Sequence, residues 1–171
     1  MAANNLCGMS PAVTETLRAF YVENRQQLYT YAVSITRQRE AAEDAIQQTF
    51  QQLLHRRALA ADLRPYVFRC VRNAALDGLR RARVRGDDSL YAAEPAVEPV
   101  APAASTPLLA RELNERLEQL SPDERETIVL KVHDDFTFQE IADLRGVPLP
   151  TVASWYRRGL EKLKTLLREK P

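Results

Sequence analysis

The chain has 171 residues, 45% of them hydrophobic and 27% charged, which suffices for one large folded unit or two small ones. No apolar run approaches the roughly 18 residues of a membrane span, and the first nine residues lack the basic start and apolar stretch of a secretory leader. A net charge of +1 conceals strong segregation: residues 63–85 carry seven Arg and one Asp, residues 145–171 seven basic and two acidic groups, and the residues between are acidic. Two basic blocks, one in each half, are where a polyanion would sit, although solvated helix faces would give the same pattern.

With five glycines, few turn dipeptides and long stretches of Ala, Leu, Arg, Glu and Gln, the chain reads as all-α. Ser10-Pro11 or Thr14 opens a first helix, on which Leu17, Phe20, Tyr21, Leu28, Tyr31, Ala32 and Ile35 recur at helical spacing. A second helix is predicted over about Glu40–Arg57, with Ile46, Phe50, Leu53 and Leu54 on one face. After a short loop, about Ala58–Arg64, a third runs from Pro65 to about Arg83. Its buried side is expected to be Val67, Phe68, Val71, Ala74, Ala75 and Gly78.

Gly86–Pro107 holds four prolines, six alanines and four acids. Such a stretch cannot hold a helix and buries little, so it is expected to be an extended, flexible Pro/Ala-rich linker. It divides the chain into two small helical domains, residues 10–85 and 108–171. Leu108–Leu120 is predicted to be an amphipathic helix. Ser121-Pro122-Asp123-Glu124 then combines an N-cap serine, a proline at the first position and a glutamate at the third, opening a helix that carries Ile128, Val129 and Val132.

Thr137-Phe138-Gln139-Glu140 is a second capping box, and the short helix it opens ends at Gly146. A final helix covers about Leu149–Arg168. Short helix, glycine turn and longer helix make a helix-turn-helix. Ala142 allows the helices to cross closely, Gly146 tolerates the positive φ of the turn, and Val152 packs back. A 3.6-residue period turns Val152, Tyr156, Gly159, Leu160, Leu163 and Leu167 inward, and Ser154, Arg157, Arg158 and Glu161 outward. Thr151 lies where a recognition helix meets the groove. Thr151, Ser154, Arg157 and Arg158 therefore form the candidate contact face, able to hold phosphates or base edges. Trp155, at the edge of the apolar face, reads as a packing residue. The competing reading is an ordinary helical hairpin with a basic surface.

Enzyme chemistry finds little support. The chain has two histidines, His55 and His133, and no metal-ligand cluster or nucleophile–base spacing. Its two cysteines, Cys7 and Cys70, lie far apart without Cys-x-x-Cys spacing, which argues against a disulfide framework or zinc site and fits a reducing cytoplasm. No cofactor is implied.

Three segments in order resemble the extracytoplasmic-function sigma factors of bacterial RNA polymerase. They are Ala42-Glu43-Asp44-Ala45-Ile46-Gln47-Gln48-Thr49-Phe50; Tyr66 to Arg81, with its Arg72-Asn73, Asp77 and Arg80-Arg81; and Leu120-Ser121-Pro122 followed by Phe136 to Leu163. The resemblance implies two all-helical domains on a tether, with core RNA polymerase and promoter DNA as partners. It makes Asp44, Gln47, Gln48 and Gln51 the polymerase-binding residues, with Gln48 standing where the family usually has Glu. It assigns the −10 promoter element to Arg64, Arg69, Arg72, Asn73, Leu76, Arg80 and Arg83, and places base capture at the loop from Leu59 to Arg64, which lacks aromatics. Asp77, being anionic, is expected to pair with a neighbouring arginine. The helix-turn-helix would read the −35 element, without the Lys and Arg that the family often has where this chain has Ala153 and Trp155. Many such factors are held by an anti-sigma partner, often membrane-anchored. A reading from another class, a stand-alone helix-turn-helix regulator whose first domain dimerises or binds a ligand, predicts tight polymerase-free binding to a palindromic operator.

Overall fold

A computed structural model describes residues 10–86 and 115–168. The described residues are helical, without a strand. The N-terminal half is three helices: α1 (Pro11–Thr36), α2 (Arg39–Leu54) and α3 (Leu63–Arg85). Pro11 takes the first position of α1, where its missing N–H costs nothing. That helix ends at Arg37, whose left-handed φ of 58° turns its N–H back to the Val33 carbonyl. Gly86 closes α3 in the same way with φ 68°.

The C-terminal half begins with a helical turn at 115–117. Of the helix expected over Leu108–Leu120, residues 115–117 are helical and 118–120 form a turn; residues 108–114 lie outside the described residues, as does the expected linker beyond Gly86. Ser121 caps α4 (Pro122–Ile128) with a complete capping box. Instead of continuing evenly, this helix widens into a π-turn over Val129–His133. Within the wider turn Val132 is 61% exposed, whereas Ile128 and Val129 are buried. Thr137 caps α5 (Phe138–Arg145) with a second complete box, Gly146 makes the turn at φ 66°, and α6 (Leu149–Arg168) follows.

The core of the first half is Leu17, Phe20, Leu28, Tyr31, Leu53, Val67, Phe68 and Val71. Five of the six residues expected inside α3 are buried. The exception is Gly78, beside which an added Cβ would meet open space. Tyr21 is 43% exposed, although Leu17 and Phe20 before it are buried; its ring packs edge-on against Phe50 of α2 at 5.2 Å. Leu167 is 56% exposed in the last turn of α6, beyond Leu163, the last buried residue of that helix.

The two halves share one core. The Phe68 ring meets Tyr31 at 5.3 Å on one side and Phe136 at 5.0 Å on the other. Phe136, Val129, Leu130 and Ile141 thereby join the cluster built on α1 and α3. A separate, smaller cluster of Leu117, Leu120, Ile128 and Leu163 belongs to the second half alone.

Candidate nucleic-acid interface

The helix-turn-helix owes its geometry to two devices. Thr137 accepts from the Glu140 amide, and Glu140 accepts from the Thr137 amide at 2.7 Å, so the start of α5 is fixed. The Thr137 hydroxyl hydrogen-bonded to Glu140 holds that carboxyl below its ordinary range. The crossing of α6 over α4 depends on Gly159: a Cβ there would stand 2.6 Å from Ile128 Cδ1 and 3.3 Å from Glu124 Cβ. Val152, fully buried, anchors the start of α6 against the shared core, as expected.

On the outer side of α6, Arg157 and Arg158 are exposed, while Thr151 and Ser154 are half-buried. Arg158 leans back toward Glu124, 4.0 Å away, and Lys162 donates to that carboxylate at 2.8 Å. Burial raises the Glu124 pKa, but the Lys162 ammonium and the Ser121 cap outweigh it and the net shift is downward. Trp155 packs on the Arg145 guanidinium at 4.7 Å, a structural placement that keeps its ring from standing free on the contact face.

The candidate −10 residues divide into two sets. Arg69, Asn73, Arg80 and Arg83 are exposed along α3. Arg69 rests near the Tyr66 ring at 5.9 Å, and Arg80 pairs with Asp77 at 2.8 Å, the local partner that an anion on this helix calls for. Arg64 and Arg72 instead point into the seam between the halves. Arg64 lies over the Phe136 ring at 4.4 Å and donates to the Asp134 carbonyl. Arg72 Nε donates to Glu126 Oε1 at 2.8 Å. Leu76, half-buried, lines the same seam.

Glu126 is the centre of that seam. Its Oε1 accepts from the Tyr31 hydroxyl at 2.7 Å as well as from Arg72, and its Oε2 lies 2.9 Å from Arg145 Nη1. Arg145 also donates to Asp123 at 2.5 Å. Burial, and then the Glu126 charge, push the Tyr31 hydroxyl pKa well up, so it remains a donor. Removing one member of such a buried charged set costs about 3–5 kcal/mol because its partners stay behind unpaired. Further along, Arg125 donates to the Ser34 carbonyl at 2.9 Å, near the negative end of α1, and Arg37 pairs with Glu118 at 3.2 Å. Glu126, Asp134 and Arg145 were not singled out by sequence reasoning, and Tyr31 only as a position of the first helix's apolar stripe. The available signal was the run Glu124-Arg125-Glu126 inside a helix of seven residues, all three buried, which is too charged for an ordinary core segment.

The candidate docking residues gather on α2. Asp44, Gln47 and Gln51 are exposed and Gln48 is half-buried. All four line an open cleft of about 570 Å³ between α2 and α3, with Arg81 and Arg85 on its far wall. Arg81 donates to Gln48 Oε1 at 3.1 Å. Glutamine at this position thus serves as an acceptor for a cation of the neighbouring helix.

Among the described residues no group of three His, Cys, Asp or Glu is arranged to hold a metal ion, and no helix is long and apolar enough to cross a membrane. Cys70 is a half-buried free thiol whose pKa is raised by burial.

Residues 20–85 match the family model for sigma-70 region 2, and residues 110–163 that for sigma-70 region 4. The chain is 32% identical over 154 residues to the RNA polymerase sigma factor CarQ of Myxococcus xanthus, covering 87% of each chain. It is 27% identical to the ECF RNA polymerase sigma factor SigL of Mycobacterium tuberculosis, covering 95% of this chain and 94% of that one. Its fold matches the sigma factor RpoE of Bartonella quintana, solved in complex with the anti-sigma factor NepR. That match has a TM-score of 0.76 and 24% identity, over 92% of this chain and 99% of RpoE.

Proposed function

Because the chain belongs to the extracytoplasmic-function sigma factors of RNA polymerase, we propose a specific division of labour between its halves. The chain binds core RNA polymerase and directs it to promoters for transcription initiation. A stand-alone regulator is disfavoured, because the likeness extends over both halves and not over the helix-turn-helix alone.

In this reading residues 10–85 dock on the polymerase and hold the −10 element, residues 86–107 tether, and residues 108–171 read the −35 element. Asp44, Gln47, Gln48 and Gln51 form the docking ridge. Arg69, Asn73, Arg80 and Arg83 hold and read the −10 strand, joined by Arg64, Arg72 and Leu76 when these leave the seam. Thr151, Ser154, Arg157 and Arg158 face the −35 groove. The observation that carries the assignment is the pair of exposed basic faces on α3 and α6, each backed by a packed apolar face. Two weak readers on one tether gain joint affinity through effective concentration. The protein works in the cytoplasm without catalysis of its own, and an anti-sigma protein is a further partner, as NepR is for RpoE.

The test is reconstitution. Added to core polymerase, the chain is expected to start transcription at a defined set of sites, read by sequencing transcript 5′ ends from a genomic library. Absence of any site-specific start would overturn the assignment of the two faces.

A further inference from the structure

We infer that the cleft between α2 and α3 receives an acidic side chain of core RNA polymerase, with Arg81 and Arg85 as its cationic wall and Gly78 as its floor. The inference rests on the reading of α2 as the polymerase dock and extends that dock onto α3.

Gly78 is the first observation. Glycine in a helix interior weakens the helix relative to alanine, so its place there asks for a close approach of some other group. Gly78 lies well inside α3 and has no left-handed φ. Among the described residues nothing approaches it: a Cβ at Gly78 would meet open space, whereas one at Gly159 would stand 2.6 Å from Ile128 Cδ1. The fold explains Gly159 and does not explain Gly78. The space beside Gly78 is the open cleft of about 570 Å³ that the candidate docking residues also line. What Gly78 makes room for enters that cleft from outside the three helices.

The walls of the cleft give the chemistry. On α3, Gly78, Arg81 and Arg85 follow at spacings of three and four residues, which is one face of a helix. Arg81 Nη2 donates to Gln48 Oε1 at 3.1 Å. That acceptor is neutral, so it steadies the guanidinium at the cleft without cancelling its charge. Arg85 is exposed and has no ion pair among the described residues. Two cations one helical turn apart, about 5–6 Å at Cβ, suit a carboxylate, which accepts from guanidinium in charge-assisted pairs.

Nucleic acid fits the cleft less well. Glu40 and Asp44 stand on the α2 wall, so a run of phosphates drawn to α3 would be repelled by α2. A protein edge carrying both signs satisfies both walls. Arg80 and Arg83, read above as holding the −10 strand, do not line the cleft. The α3 helix can therefore meet protein on one side and DNA on another. The neutral Gln48 also fixes a sign: a carboxylate in its place would pair with Arg81 and compete with the incoming acid.

The experiment titrates the full chain and its variants against core RNA polymerase. Gly78→Leu fills the cleft, and affinity is expected to fall about tenfold or more, while the better helix former keeps or raises the Tm. Arg81→Ala and Gln48→Glu are each expected to weaken docking about two- to fivefold. A merely structural role for the Gln48–Arg81 pair predicts the opposite sign for Gln48→Glu, because a full ion pair would steady both helices. Tightening in Gln48→Glu therefore overturns the acidic partner whatever Gly78→Leu does, and decides the matter if Gly78→Leu does not fold. Unchanged docking in Gly78→Leu overturns the inference and leaves α2 as the dock, provided that Asp44→Arg still abolishes binding. If Asp44→Arg also binds normally, the reading of α2 itself is lost. A Gly78→Leu chain that binds polymerase normally but loses affinity for a short single-stranded DNA overturns the inference in favour of nucleic acid.

Discussion

The two proposed DNA-reading helices, α3 and α6, carry similar charge but hold it differently. On α6, Arg157 is exposed with no ion pair among the described residues, and Arg158 leans only loosely toward Glu124. On α3, Arg64 and Arg72 are committed to the other half of the chain, and Arg80 to its own helix. A basic sequence block is thus not a measure of available positive charge. Availability depends on whether acidic or π-rich groups of the same molecule reach the arginines first.

The contrast can be broken at several points. The largest effect is expected at Asp44→Arg, which reverses charge on the docking ridge without touching either reader. Core polymerase binding should weaken about a hundredfold or more, as like-charge juxtaposition costs several kcal/mol. Unchanged affinity in a pull-down titration, with normal circular dichroism, would remove α2 from the dock.

Gly159→Val should come next. Its Cβ collides with Ile128 and crowds Glu124, so the C-terminal half is expected to lose about 1–3 kcal/mol in denaturant unfolding, as overpacked sites do. The paired change Arg157→Ala with Arg158→Ala leaves the fold alone. It should flatten the salt dependence of DNA binding by about two logarithmic slope units. Arg72→Ala should change that slope by less, because its guanidinium is already paired with Glu126, and equal changes per arginine on the two helices would erase the contrast drawn above. Thr137→Ala removes a cap and should cost about 1 kcal/mol in thermal unfolding.

The smallest effect is a pH dependence. Because the Glu140 carboxyl is held low by Thr137, its contribution to stability is present above the ordinary carboxylate value and fades as pH falls through its lowered one. Glu140→Gln should flatten the acid limb of a stability–pH curve. A limb that stays unchanged would mean the cap bond does not discriminate between the charged and neutral forms.

Local rules made much of this molecule readable. Both capping boxes, the Gly146 turn and, as far as Leu163, the α6 periodicity follow from neighbours within four residues and appear where the sequence puts them; Leu167, beyond, is exposed. The packing of one half on the other was not readable, because Tyr31 and Glu126 are 95 residues apart and neither belongs to a local motif. For the same reason Arg64 and Arg72 looked like free cations in the sequence. The π-turn after Ile128 was missed because an apolar run of Ile128, Val129, Leu130 and Val132 has the same composition whether the helix is regular or widened.

Gly159 has a consequence for how such a reader diversifies. The missing methyl group lets α6 cross α4 in van der Waals contact, so the attitude of the helix is set by its inner side, across the helix from the residues proposed to meet DNA. Exposed positions such as Arg157 and Arg158 are then free to change without tilting the platform. New target preferences can arise by exchanging side chains on a fixed blade, whereas a single carbon added at the pivot would swing every contact at once.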